Sequence, residues 1–321
     1  MSLAWSAVPC FFMVTGSLMH DAKSFSIKKH LKKILITYGI LCVWKVIYFV
    51  LYYIAIDIHF SKVELVNYLF LFGSISGIDT GHLWFMYAYL LVLIFYPISY
   101  FIISVNNRML EIYFVILLFI AGIGIHTIQF LTTLLVEFFG FQSININALY
   151  QIIPFGSYRN MLFYFVLGAI LFKKKQYIID FLNKKSISKY LIITGIMVGI
   201  LGNMLIKFAF TNSFRWQGIY LADGYNQLFT MVMSVGIYLF FLILPKSKFL
   251  ENFADSIGKN TMGIYFLHMP VLHMFSIILY SYFVPYYSFG LNILKTIFVA
   301  IFCLIITKLI KKIPYVRILV K

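Results

Sequence analysis

Charge is what this chain has least of. Only 11% of its 321 residues are Asp, Glu, Lys or Arg, where soluble domains carry about 25%. The apolar share, 62%, exceeds the usual ~45–50%. So much apolar surface excludes a soluble globular enzyme, and so little charge excludes a disordered chain. Cysteines number three, Cys10, Cys42 and Cys303, each inside an apolar run. That excludes a disulfide framework and argues against a reactive thiol. No fixed-period repeat, low-complexity tract or soluble domain interrupts the pattern. With a mean hydropathy of +0.94, the remaining class is an all-α, polytopic transmembrane helix bundle.

A helix needs about 20 mainly apolar residues to cross the hydrocarbon core. Nine runs qualify, at about 3–19, 34–56, 83–104, 109–126, 159–172, 190–210, 226–244, 262–283 and 291–310. The fifth is short and extends back through Ile152 and Ile153 if Pro154 forms a kink. The excess of 26 Lys+Arg over 10 Asp+Glu would suggest nucleic acid in a soluble protein. Here 20 of the basic residues fall in alternate connections, three in the others and three in spans. That is the positive-inside pattern of a multi-pass protein of the cell (plasma) membrane with a cytoplasmic C-terminus. The expected partners include membrane lipid and no nucleic acid. Nine spans place Met1 outside with no visible signal to carry it there, and one more upstream helix would resolve the mismatch. The outer connections 57–82 and 127–158 are long, and 127–139 is apolar enough to lie at the interface or re-enter. Abundant Ile, Lys, Asn, Phe and Tyr, with only four Arg, fit an AT-rich bacterial genome.

Four stretches carry polar groups at places where an apolar residue would serve packing alone. Val8-Pro9-Cys10-Phe11-Phe12-Met13-Val14-Thr15-Gly16 has a helix-interior proline and small residues, which suit close helix contact. Ser24 to Ile34 holds Lys28, Lys29, His30, Lys32 and Lys33. On a helix Lys29 and Lys33 share a face, and His30 neighbours Lys33. This is either a basic flank for anionic lipid or a clamp for a phosphate-rich cofactor. Gly81-His82-Leu83-Trp84-Phe85-Met86-Tyr87 opens the third span. Trp84 and Tyr87 suit a membrane interface, but His82 suits proton transfer or the orientation of a hydroxyl. Asn260 to Pro270 contains Tyr265 and His268 on one face, and an intramembrane histidine is a functional candidate. His273 points elsewhere, so no metal pair is expected. Lys45, about 17 Å into its helix, is expected to face an internal polar cavity. Lys207 and Lys295 can snorkel outward.

These stretches, in this order, resemble the acyltransferase-3 family, integral-membrane enzymes that O-acetylate polysaccharides and related glycoconjugates. Val8 to Leu18 is similar to the family's VPxFFxxSGYL stretch, with Thr15-Gly16 at its Ser-Gly. Ser24 to Tyr38 resembles its basic loop, His82 to Tyr87 its HLWFL stretch and Gly263 to His268 its GIYLxH stretch. Arg159, followed by Phe163, Phe165, Leu167 and Gly168, resembles its FxLG helix.

The resemblance implies a single integral-membrane acyltransferase domain over 1–321, ten helices in the full architecture and both termini inside. It implies acetyl-CoA as acyl donor, no metal, and a glycan or lipid-linked saccharide as acceptor. The family's Arg-x-x-Arg pair, proposed to hold the CoA phosphates, falls on His30 and Lys33, with Lys29 beside them. Lysine holds phosphate as a point charge, without the fork of arginine. Family members begin with a helix bearing an Arg and a proposed catalytic His. No residue here matches that His, so an N-terminally incomplete chain is expected. Of the remaining polar groups, His82, His268 and Tyr265 are the catalytic candidates, and Trp84, Tyr87 and Arg159 the substrate-binding ones. The competing readings are a polysaccharide transporter, flippase or polymerase, or an inactive truncated acyltransferase. A transporter would be expected to show internal repeats and paired broken helices, and none is visible.

Overall fold

The computed structural model describes residues 2–21, 24–55, 58–142, 155–184, 187–212, 224–244, 247–280 and 289–320. Pro154, Arg215, Asp223 and Lys246 lie outside them, as does the side chain of Lys207. Among the described residues every regular element is helical. In chain order they are α1 (Ala7–His20), α2 (Ile27–Ala55), α3 (Lys62–Phe70), α4 (Trp84–Ser104), α5 (Arg108–Phe119), α6 (Ile125–Phe139), α7 (Arg159–Lys173), α8 (Lys175–Lys184), α9 (Ile187–Asn212), α10 (Leu228–Ile243), α11 (Lys248–Gly258), α12 (Thr261–Tyr280) and α13 (Phe289–Ile310). Within the described residues each of the nine expected spans overlaps a helix, the run at 109–126 passing from α5 through a π-helical turn into α6. Five stretches, Leu3–His20, Ile27–Ile54, Gly81–Ser104, Arg108–Thr132 and Gly290–Ile310, are long and apolar enough to cross a bilayer. The chain is an all-α polytopic membrane protein.

The chain forms two compact units, one of Met1–His30 with Leu91–Leu244 and one of Leu31–Leu90 with Pro245–Lys321. In the first, α1 and α7 touch through glycine. A Cβ on Gly16 would overlap the Phe165 carbonyl, and one on Gly168 would overlap the Met13 backbone. Ser17 adds polar adhesion, its hydroxyl 3.1 Å from the Gly168 carbonyl and 2.6 Å from the Tyr238 hydroxyl. The small residues of the Val8–Gly16 stretch therefore serve packing. The segment 127–139, expected to lie at the interface or re-enter, continues α5 as helix through a π-helical turn at Ile120–Gly124. Glu111, at the start of α5, is buried and paired with Lys173 at 2.8 Å and Lys174 at 2.7 Å.

In the second unit, Trp44 of α2 stacks on Phe266 of α12, ring centroids 4.9 Å apart. Its indole N–H donates to the Leu319 carbonyl at 2.9 Å. The connection expected as an outer loop at 57–82 folds back along α2. Ser61 and Glu64 form a reciprocal capping box that starts α3. The far end of α3 lies beside Lys45, ten residues or about 15 Å before the end of α2 at Ala55. There the Lys45 ammonium donates to the Tyr68 carbonyl at 2.7 Å, and Tyr38 donates to the Phe70 carbonyl at 2.7 Å. The last carbonyls of a helix have no partner within it, so α2 side chains complete α3. Lys45 is only 1% exposed and sits 5.1–5.5 Å from the ring centres of Tyr68, Phe72 and Tyr87. It faces inward as expected, but into an aromatic box and not a polar cavity.

Candidate active site

His82, Tyr265 and His268 meet in the second unit. Asp79 accepts the Gly81 N–H at 3.2 Å, and a 3-10 turn over Gly81–Leu83 then leads into α4. This local turn sets the position of His82. On α12, Tyr265 donates its hydroxyl to the His82 carbonyl at 2.7 Å. His268 contacts the carbonyl of Tyr265 through Nδ1. The two imidazoles lie 5.4 Å apart, nearly perpendicular. Tyr265 thus tethers the backbone beneath His82, because its only proton is spent there.

A fourth residue, Tyr48 of α2, completes the cluster. Its hydroxyl is 2.5 Å from the Phe266 carbonyl and 3.0 Å from His82 Nε2. Tyr48 sits in an apolar run and reads as packing in the sequence. The signal that points to it is Pro270, which lies inside α12. Proline has no N–H, so the carbonyl four residues earlier loses its helical donor. Pro97 in α4 does the same to the Leu93 carbonyl, and His30 Nε2 lies 2.7 Å from that oxygen. On the rim, His273 Nε2 lies 3.5 Å from Asp79 Oδ2, an ion pair only when the imidazole is protonated.

The other candidates have different surroundings. Tyr87 contributes one wall of the Lys45 box, and Trp84 is edge-on to Phe85. Arg159, in the first unit, is buried, its Nε 2.5 Å from the Ala121 carbonyl in the π-helical turn and its Nη1 2.9 Å from the Gly156 carbonyl. It is used on backbone. Lys29 and Lys33 are exposed on the first turns of α2, whereas His30 is turned inward and buried. Also in the first unit, His20 ends α1. It bonds the Gly16 carbonyl at 2.8 Å and the Ser99 hydroxyl at 3.1 Å. With Tyr100, Ile103, Ser104, Asn106 and Lys173 it lines a cavity of about 390 Å³. Among the described residues no group of three or more His, Cys, Asp or Glu is placed to hold a metal ion.

A helical membrane protein with half-buried, backbone-tethered histidines beside a hydroxyl has the equipment for proton transfer. Comparison with protein families makes this specific. Residues 5–311 match the acyltransferase-3 family, described as an acyltransferase domain, and the chain belongs to that family. It is a membrane acyltransferase. No curated protein and no solved structure matches the chain.

Proposed function

We propose that this enzyme transfers an acetyl group from acetyl-CoA, taken from the cytoplasmic side, to a hydroxyl of a cell-surface polysaccharide or related glycoconjugate. We place it in the plasma membrane with its C-terminus in the cytoplasm, on the distribution of Lys and Arg. The observation that carries the chemistry is the convergence of His82, His268, Tyr265 and Tyr48. Acyl transfer to a hydroxyl needs a base for its proton, and His82 and His268 are the imidazoles at this cluster.

The donor set at the start of α2 suits a phosphate-bearing acyl donor. Lys29 and Lys33 occupy exposed positions there, and the helix N-terminus adds a favourable dipole. His30 does not fit that role, since its Nε2 is used on Leu93. When bound, the donor supplies an activated thioester acyl group. Lys33 and Tyr48 are fifteen residues apart on α2, about 22 Å. A donor held at Lys33 therefore has to extend that far along the helix to bring its acyl carbon to His82.

The test is genetic and chemical together. Cells lacking the gene are complemented with wild type, His82→Gln, His268→Gln or the double variant, and O-acetyl signals of their surface polysaccharide are read by NMR. Loss of one or both signals on substitution, with normal amounts of protein in the membrane, supports the proposal. Undiminished acetylation by the double variant removes the cluster from the reaction.

A further inference from the structure

The hydrogen-bond geometry around Tyr48 assigns the proton of His82. A carbonyl oxygen only accepts. The Phe266 carbonyl, deprived of its helical donor by Pro270, accepts from the Tyr48 hydroxyl at 2.5 Å. The single phenolic proton of Tyr48 is committed to that bond. His82 Nε2 lies 3.0 Å from the same phenolic oxygen. Facing an oxygen whose proton points elsewhere, Nε2 carries a hydrogen and donates it. A neutral imidazole has one N–H, so Nδ1 is the bare nitrogen. Nδ1 is buried and has no hydrogen-bond partner among the described residues. A buried acceptor without a donor is costly to maintain, and it invites a ligand that brings one.

We infer that His82 Nδ1 is the atom that receives an O–H donor, the acceptor hydroxyl or water, and that Tyr48 is the positioning residue that keeps it bare. This rests on the acyl-transfer reading above and deepens it. The donor's O–H breaks as its proton joins Nδ1. The oxygen's electron pair forms the new C–O bond at the thioester carbon. The C–S bond then breaks, and the departing thiolate takes the proton back from Nδ1, which leaves a free thiol, neutral His82 and an ester when the donor is a hydroxyl or the free carboxylic acid when it is water. During the step the imidazolium keeps its Nε2–H on Tyr48, so the ring does not turn.

The same logic accounts for His268. Its Nδ1 faces the Tyr265 carbonyl and must donate, which fixes the proton there and leaves Nε2 bare. The two rings therefore carry opposite tautomers, each set by a backbone carbonyl of α12, through Tyr48 in one case and directly in the other.

The test uses the full chain in lipid nanodiscs with 15N-labelled histidine, the His82 signals assigned by comparison with His82→Gln. Wild type is expected to show a protonated Nε2 and a bare Nδ1 as a single form. Tyr48→Phe removes the acceptor and is expected to give a mixture of tautomers. Pro270→Ala returns a helical N–H to the Phe266 carbonyl, frees the Tyr48 proton and is expected to shift His82 toward Nδ1–H. In parallel, thiol release from acetyl-CoA with water as acceptor is measured. Tyr48→Phe is expected to lower kcat by about ten- to a hundredfold, the scale of losing an orienting contact, at unchanged KM. An Nδ1–H form in wild type overturns the assignment even if His82→Gln abolishes thiol release. Identical spectra for wild type and Tyr48→Phe overturn the role of Tyr48. A bare Nδ1 together with full thiol release by His82→Gln upholds the tautomer but overturns Nδ1 as the receiving atom, and the acyl-transfer reading of the cluster with it.

Discussion

Replacing Lys45 with methionine tests whether a buried cation without a carboxylate is an asset or a burden. Burying an ammonium costs several kcal/mol in lost hydration. Against that, Lys45 makes a charged hydrogen bond to the Tyr68 carbonyl at 2.7 Å, worth about 1.5–3 kcal/mol. The positive charge also sits at the C-terminus of α3, worth about 0.3–1 kcal/mol and up to ~2 when partly buried. Three rings with centres 5.1–5.5 Å away add up to about 2 kcal/mol in a desolvated site. Methionine conserves the volume but leaves the Tyr68 carbonyl short of a donor, at about 1–3 kcal/mol. The favourable terms together match or exceed the hydration cost, and the uncapped carbonyl decides the sign. The expected net loss is about 2 kcal/mol in the docking of α3. Since 1.4 kcal/mol is tenfold in an equilibrium constant, opening of this segment rises about thirtyfold. Hydrogen–deuterium exchange of the full-length protein reads it directly, as faster exchange of the Val66–Leu71 amides. Exchange that is unchanged or slower in Lys45→Met refutes the balance and shows the buried ammonium to be a net burden.

Gly16→Ala forces a methyl against the Phe165 carbonyl and is expected to destabilise the first unit by about 1–3 kcal/mol or more. Gly39→Ala, with nothing within 4 Å of the added carbon, is the neutral control, and thermal unfolding in detergent separates the two. Glu111→Gln removes both ion pairs and leaves one acceptor oxygen, but Lys173 and Lys174 are 32% and 41% exposed and relax into water. The expected loss is therefore about 1–3 kcal/mol and not the ~3–5 of a fully buried pair, checked by the same unfolding assay. The Ser61 amide and hydroxyl hold the Glu64 carboxylate below its usual range. That capping contribution is present above the ordinary carboxylate pKa and disappears as pH falls through the lower folded-state value. Exchange of the α3 amides should accelerate over that acidic interval in wild type and lose this dependence in Glu64→Gln, whereas Ser61→Ala, which keeps the amide donor to the carboxylate, retains part of it.

The spans were legible because length and hydropathy alone define them, and each expected run overlaps a helix. His82, Tyr265 and His268 were legible because polar groups stand out in apolar surroundings. Two features resisted reading. The 57–82 connection has the polarity of an outer loop, yet its nine-residue helix α3 lies against the middle of α2. What docks it there is Lys45 meeting a backbone carbonyl, and a carbonyl has no signature in a sequence. Glu111 pairs with Lys173 and Lys174, more than sixty positions away, a distance no local pattern bridges.

The prolines in the middle of α4 and α12 carry a second, finer signal. A proline at position i announces an unserved carbonyl at i−4, which in a membrane must be served by something other than water. Pro97 and Pro270 point to Leu93 and Phe266, and the structure supplies His30 for one and Tyr48 for the other. The consequences diverge because the donors differ. The His30 ring is used at Nε2 on the Leu93 carbonyl, so the position that aligned with a phosphate clamp is spent on structure. Tyr48 has a hydroxyl oxygen left over after its proton is spent, and that oxygen is what His82 addresses. The same defect in a helix therefore ends in a packing contact in one unit and in an oriented imidazole in the other. Only the position of the proline, and not the identity of the responding side chain, is written locally in the sequence.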